Sequence, residues 1–113
     1  MPKPRTVALV SDDLMFASQL QIAMQRVGGA CALVVGDAVP DVDAVFVDLN
    51  TRADERLDLI VRLREQRPHL SIAGFCHHGE RQLRRRALAA GATRVINNGA
   101  LQAVALRIDG RIP

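Results

Sequence analysis

Acidic residues follow two apolar segments of the sequence at the points where those segments end. Ser11, Asp12 and Asp13 come directly after residues 6–10, and Asp48 ends a later apolar run. If both runs are neighbouring strands of a parallel sheet, Asp12 or Asp13 lies within reach of Asp48. Carboxylates gathered in this way repel each other unless a hard cation such as Mg²⁺ joins them. An aspartate beside that cation can attack phosphorus and form an aspartyl phosphate.

Apolar runs and amphipathic stretches alternate along the chain and predict the elements that position these acids. Strands are predicted at Thr6–Val10, Ala30–Val35, Asp43–Asp48, Leu70–Cys76 and Thr93–Ile96. Helices are predicted at Met15–Val27, Asp54–Arg67, Glu80–Ala90 and Ala100–Ile108. Buried strands separated by amphipathic helices indicate an α/β domain with a parallel sheet. Residues 36–42 are too few for a helical crossover, so the second helix is predicted to be missing or reduced to a turn.

Composition excludes several classes of protein. The 113 residues suit a single domain spanning 1–113, and an apolar share of 49% excludes a disordered chain. Aromatic residues make up 3%, which argues against a platform that stacks nucleic-acid bases. No apolar run approaches the length of a membrane span, and the N-terminus lacks a secretory pattern. We therefore expect a cytoplasmic protein without membrane contact.

The order of these features resembles the response-regulator receiver domain over nearly the whole chain. The matching pieces are Val7-Ala-Leu-Val-Ser-Asp-Asp13, Asp43-Ala-Val-Phe-Val-Asp-Leu49 and Ala89-Ala-Gly-Ala92. The resemblance implies a doubly wound five-stranded parallel sheet in the order 2-1-3-4-5. It also implies a histidine kinase as partner and Asp48 as phosphoacceptor. Mg²⁺ would be held by Asp12, Asp48 and the backbone carbonyl of Asn50, with Asp13 in place of Ser11 if the frame slips by one residue.

The sequence departs from the family at its phosphate pocket. Ser11 stands where the first member of the acidic pair is expected, and Cys76 stands where a hydroxyl should contact the phosphoryl group. Asn98 replaces the lysine that follows strand five, and Val95 replaces the aromatic switch residue. Replacing the cation by an amide forfeits a charge-assisted hydrogen bond of roughly 1.5–3 kcal/mol, or one to two decades in a rate. The departures predict weak Mg²⁺ binding and weak or no phosphorylation of Asp48.

A second candidate surface lies on the third and last helices. Arg81, Arg84 and Arg85 point largely outward from the third helix, and Leu106 lies outside the core stripe of the last one. In the receiver family, the face formed by the fourth helix, the fifth strand and the fifth helix often carries dimer or partner contacts. Because the second helix is predicted to be missing here, the third and last helices of this chain correspond to the fourth and fifth helices of the family. A homodimer is one expectation, in which Arg84 or Arg85 pairs with Glu80 or Asp109 of a second copy.

These observations predict an atypical or pseudo-receiver that signals by protein–protein contact and is not an enzyme. A conventional phospho-accepting response regulator is the first alternative. The second is non-specific nucleic-acid binding through Arg81–Arg86; we do not expect it, because no DNA-reading module accompanies the arginines.

Overall fold

The computed structural model describes residues 5–107, which contain five strands and four α-helices. The strands are β1 (Thr6–Val10), β2 (Ala30–Val34), β3 (Ala44–Asp48), β4 (Ser71–Cys76) and β5 (Arg94–Asn97). The helices are α1 (Leu14–Arg26), α2 (Ala53–Gln66), α3 (Arg81–Ala90) and α4 (Leu101–Leu106), with a 3₁₀ turn at Asn98–Ala100 before α4. Every predicted element is present, and its ends differ from the predicted ones by at most two residues. Lys3, Ile108 and Asp109 lie outside the described residues.

The five strands form one parallel sheet in the order β2-β1-β3-β4-β5. The predicted fold class is thereby confirmed. Val10 of β1 is in register with Val34 of β2 on one side and with Val47 of β3 on the other. The next residue along each strand, Ser11 directly after β1 and Asp48 at the end of β3, therefore lies beside the other at the carboxyl edge of the sheet. The chain order reverses at β1, which is where ligands bind in open sheets of this kind.

The core consists of two apolar layers, one on each face of the sheet. Alternate residues of a strand point to opposite faces, so Val45 and Val47 pack toward α2 and α3 while Phe46 packs toward α1 and α4. The largest fully buried side chains are Phe46 and Phe75, and the ring of Phe16 meets Phe75 edge-on at 5.0 Å. No helix within residues 5–107 is long and apolar enough to cross a membrane.

The connection between β2 and β3 contains no helix, as its length predicts. Val39 of this connection is buried in the layer beneath α2. The guanidinium of Arg67 donates hydrogen bonds to the carbonyl oxygens of Pro40 and Val39, at 2.8 and 2.6 Å. The buried side chain of Val39 and the hydrogen bonds of Arg67 thus hold this connection in place in the absence of a crossover helix.

Some apolar residues of the helices predicted at 15–27 and 54–67 are exposed. Met15 is 66% exposed, Val27 48% and Val61 39%. Met15 and Val27 lie in the first turn and at the C-cap of α1, near the ends of the helix. Val61 and Val35 line an open groove between α2 and the end of β2, because no crossover helix covers this side of the sheet.

Candidate functional site

A cleft of about 310 Å³ opens at the carboxyl edge of the sheet, beside the ends of β1 and β3. Its lining includes Asp12, Asp13, Asp48, Asn50 and Arg52. The sheet register therefore brings the acidic residues predicted from the two strand ends to a single cleft. The cleft also contains a cationic side chain that sequence reasoning did not include.

Asp48 is buried, with 2% of its surface exposed, and both of its carboxylate oxygens accept hydrogen bonds. The hydroxyl of Ser11 donates to Oδ2 at 2.6 Å. The backbone N–H and the side-chain amide of Asn50 donate to Oδ1 at 2.9 and 2.8 Å. Ser11 therefore acts as a donor to Asp48, in the position where the family pattern expects a second acid.

Asn98 reaches Asp48 through Asn50. The two asparagine side chains form a reciprocal amide pair, with Nδ2 to Oδ1 distances of 2.9 and 3.0 Å. The amide of Asn50 thus donates both to Asp48 and to Asn98. A network of neutral donors connects Ser11, Asp48, Asn50 and Asn98 across the ends of β1, β3 and β5.

Asp12 is paired with two arginines. Nε of Arg52 lies 3.3 Å from Oδ2 of Asp12, and Nη2 of Arg56 lies 3.5 Å from Oδ1. Arg56 is only 3% exposed and donates from Nη1 to the carbonyl oxygen of Asp48 at 3.1 Å. A signal for this buried cation exists in the sequence, because Arg56 precedes Ile60 by four residues and so shares the buried stripe of α2.

Solved structures of similar shape identify the architecture. TadZ, a CheY-like protein from Pseudomonas aeruginosa, is 21% identical with a TM-score of 0.80, covering 98% of both chains. A response regulator from Thermotoga maritima is 23% identical with a TM-score of 0.79, covering 94% of this chain and 95% of that one. The fold is that of response-regulator receiver domains. No family model and no curated protein matches the sequence itself.

Some structures with the receiver fold belong to longer chains. DrrB, an OmpR/PhoB homologue from Thermotoga maritima, matches at 14% identity with a TM-score of 0.77. The likeness covers 93% of this chain but 50% of DrrB. At such identities the likeness establishes the receiver fold and nothing finer.

Asp13, the alternative metal ligand in the receiver pattern, caps a helix in this structure. Its Oδ1 accepts hydrogen bonds from the backbone N–H groups of Met15 and Phe16, at 2.8 and 3.3 Å. These groups begin α1 and have no partner within the helix, so an aspartate at this position satisfies them. Asp13 lines the cleft, but its carboxylate is engaged at the start of α1.

Cys76 does not line the cleft, although its place in the sequence matches the hydroxyl position of the receiver pocket. Its side chain is fully buried with Val47 and Leu49 in the layer beneath α2 and α3. Burial raises the pKa of this thiol, and it also raises the pKa of Cys31, to about 11. Both cysteines are free thiols in their protonated form at neutral pH; Cys76 is buried and Cys31 is half-buried.

The carboxylate oxygens that Mg²⁺ would need are already engaged by groups of this chain. Asp12 faces two guanidinium groups, and both oxygens of Asp48 accept hydrogen bonds. Within residues 5–107, no three Asp, Glu, His or Cys side chains gather in an arrangement that could hold a metal ion. Asp12 and Asp48 would have to give up these partners to hold a divalent cation, an arrangement that fits weak Mg²⁺ binding at most.

The predicted interaction face divides into structural and exposed residues. The guanidinium of Arg84 is half-buried and donates to the carbonyl oxygen of Val95 and to the side chain of Asn97, which ties α3 to β5. Arg84 is thus engaged within its own chain, and its expected pairing with a second copy stays a prediction. Arg81 and Arg85 are exposed, and so is Leu106, at 37%.

One exposed apolar residue beside these arginines is not among the predicted ones. Leu88 is 52% exposed and lies one turn beyond Arg84 and Arg85 on α3. A leucine is usually predicted to be buried, so its residue type does not indicate an exposed position. Its spacing of four and three residues from Arg84 and Arg85 does, because residues at these spacings lie on the same side of a helix.

Proposed function

We propose that this chain is a pseudo-receiver signalling domain that acts through protein–protein contact, with weak or no phosphorylation at Asp48. The observation that supports this most strongly is the engagement of the Asp48 carboxylate by Ser11 and Asn50. These donors withdraw electron density from the carboxylate, and Oδ1, which accepts two of them, must release one before it can attack phosphorus. In this chain those donors are buried or half-buried, so their release is costly.

The surroundings of Asp48 offer little to stabilise a transferring phosphoryl group. Phosphoryl transfer depends on positioned cations that neutralise the charge developing on the phosphoryl oxygens. Asn98 supplies a neutral amide that is already paired with Asn50, and Cys76 is packed in the core. A conventional phospho-accepting response regulator remains the alternative that the receiver fold itself suggests.

The proposed contact surface is the exposed face of α3, β5 and α4. Arg81, Arg85 and Arg94 are exposed there, together with the apolar side chains of Leu88 and Leu106. Apolar side chains beside arginines are typical of protein interfaces, where arginine is enriched. The partner would be a histidine kinase or another signalling protein with an acidic surface, or a second copy of the chain, and the domain would have no catalytic turnover of its own.

Phosphorylation is tested by intact mass spectrometry after incubation with acetyl phosphate and Mg²⁺. We expect the wild type to show little or no phosphoryl adduct above the level of Asp48→Ala. The expected rate of phosphorylation lies about one to two decades below that of a receiver domain whose pocket keeps its lysine. An adduct that forms on the wild type as fast as on such a receiver domain, and that Asp48→Ala abolishes, would establish the conventional alternative and refute the pseudo-receiver.

The contact surface is tested by sedimentation velocity over a range of protein concentrations. We expect Arg85→Glu and Leu106→Asp each to weaken self-association about ten-fold or more, since each places a charge in an interface. Arg62→Glu is the control, because it makes the same charge change on α2 and breaks only an exposed ion pair with Asp37. A wild type that stays monomeric at high concentration would refute the homodimer.

The nucleic-acid alternative has a separate outcome. Non-specific binding through Arg81–Arg86 would appear as weak affinity for duplex DNA that falls steeply with salt. Arg84 and Arg86 are engaged within the chain, by β5 and by Asp54, which leaves fewer arginines to contact phosphate. We expect no DNA binding at low salt.

A further inference from the structure

Arg56 is a buried cation that connects two turns of the cleft. Nη1 donates to the carbonyl oxygens of Asp48 and Thr51, at 3.1 and 3.3 Å. Nη2 lies 3.5 Å from Oδ1 of Asp12 and makes no hydrogen bond, although it is buried. The guanidinium thereby joins the turn that follows β1 to the turn that follows β3.

A hard divalent cation at this edge would use the same kinds of oxygen. Mg²⁺ binds carboxylates and backbone carbonyls, and here one carboxylate and two carbonyls already face a positive charge. Arg52 adds a second charge, with Nε 3.3 Å from Asp12. Two guanidinium groups beside one carboxylate repel a further cation.

The backbone at Arg52 supports a specific role for this pairing. Arg52 has a φ of 52° in the left-handed region, which residues other than glycine adopt at a cost. Arg52 is the N-cap residue of α2, where its carbonyl oxygen accepts from the backbone N–H of Arg56 at 3.0 Å and its side chain makes no capping bond. The conformation places its guanidinium against Asp12.

We propose that Arg56, together with Arg52, is the built-in counterion of Asp12 and takes the place of a divalent cation at this edge. The turns after β1 and β3 are held together without metal. The inference goes beyond the proposed function and does not rest on the contact surface, which Arg85→Glu tests separately. It also differs from the test of phosphorylation, because metal binding is measured without acetyl phosphate.

The first test measures melting temperature in EDTA for two matched variants. Asp12→Asn removes the charge that faces Arg56 and leaves a buried guanidinium without its counterion. We expect its Tm to fall by about 3–6 °C. Asp13→Asn makes the same change one residue along and is expected to change Tm little, because asparagine caps helices as well as aspartate does. An unchanged or higher Tm for Asp12→Asn would overturn the proposal, since relief of carboxylate repulsion would then dominate.

The second test titrates Mg²⁺ against a sodium salt of equal ionic strength and follows Tm and the heat of binding. The Tm of the wild type is expected to stay constant. Arg52→Gln/Arg56→Gln frees the carboxylate and the carbonyls, so Mg²⁺ should bind it at least about ten-fold more tightly and raise its Tm. If the double variant does not fold, Arg52→Gln alone should show a smaller shift in the same direction. Equal Mg²⁺ binding by wild type and variant, or no binding by any folded variant, would overturn the proposal.

Discussion

Replacing Asp48 with alanine is expected to lower the free energy of unfolding by about 2–4 kcal/mol. The carboxylate accepts hydrogen bonds from the Ser11 hydroxyl and from two N–H groups of Asn50. Alanine would leave these donors without an acceptor in a site where Asp48 itself is 2% exposed. The loss of an acceptor from buried donors costs more than the bonds contribute, because the donors cannot regain water. Urea denaturation followed by circular dichroism measures the change.

Two further variants separate the hydrogen bonds from the negative charge. Asp48→Asn keeps an oxygen acceptor and allows the Ser11 hydroxyl to reverse, so its loss is expected to be near 1 kcal/mol. Asp58→Ala removes an exposed carboxylate on α2 and should change stability by less than about 0.5 kcal/mol. A gain in stability for Asp48→Ala would contradict the prediction. Repulsion between Asp48 and Asp12 would then outweigh the hydrogen bonds, as in a pocket that awaits a cation.

Replacing Gly91 with alanine is expected to lower the free energy of unfolding by about 3 kcal/mol. Gly91 ends α3 with a φ of +121°, which side chains rarely allow. A Cβ at this position would lie 2.8 Å from both Cβ and Cγ of Arg64. Arg64 cannot easily move aside, because its guanidinium donates to the carbonyls of Gly91 and Leu70, each at 2.8 Å, and to the hydroxyl of Thr93 at 3.1 Å.

Two other glycines provide controls for strain and for contact. Gly28 has a φ of +73° but open space where a Cβ would lie, so Gly28→Ala measures backbone strain alone. We expect it to lower the free energy of unfolding by about 1 kcal/mol. Gly79 has neither a left-handed φ nor a close neighbour, so Gly79→Ala should be neutral or slightly stabilising. Urea denaturation of all three variants gives the comparison. Equal effects for Gly91→Ala and Gly28→Ala would show that contact with Arg64 contributes nothing.

The sequence predicted the elements well because each carries a local signal. Asp43–Asp48 and Leu70–Cys76 are apolar runs of strand length, and glycines or a proline follow the helices. Even the absent crossover helix follows from a simple count of residues 36–42, which cannot form a helix and two loops. Local backbone preference and hydrophobic burial act within a few residues, so the sequence contains them in readable form.

The sequence predicted the candidate site less completely. It placed Asp12 and Asp48 at one edge, because parallel strands end together. It matched Cys76 to the hydroxyl position of the phosphate pocket, whereas the side chain packs in the core, because alternate residues of β4 point to opposite faces of the sheet. It also did not reveal the partners of Arg56, which lie on β3 and in the turn after β1, 8 and 44 residues away.

By itself, the sequence determined the fold class, the missing helix and the acidic edge, since each depends on residue types at short spacing. The tertiary structure alone decided how that edge is neutralised. Ser11 and Asn50 engage Asp48, and Arg52 and Arg56 engage Asp12. The physical reason is that hydrogen bonds and ion pairs act over about 3 Å between side chains from distant segments. Their partners are set by strand register and helix packing, which no local pattern specifies.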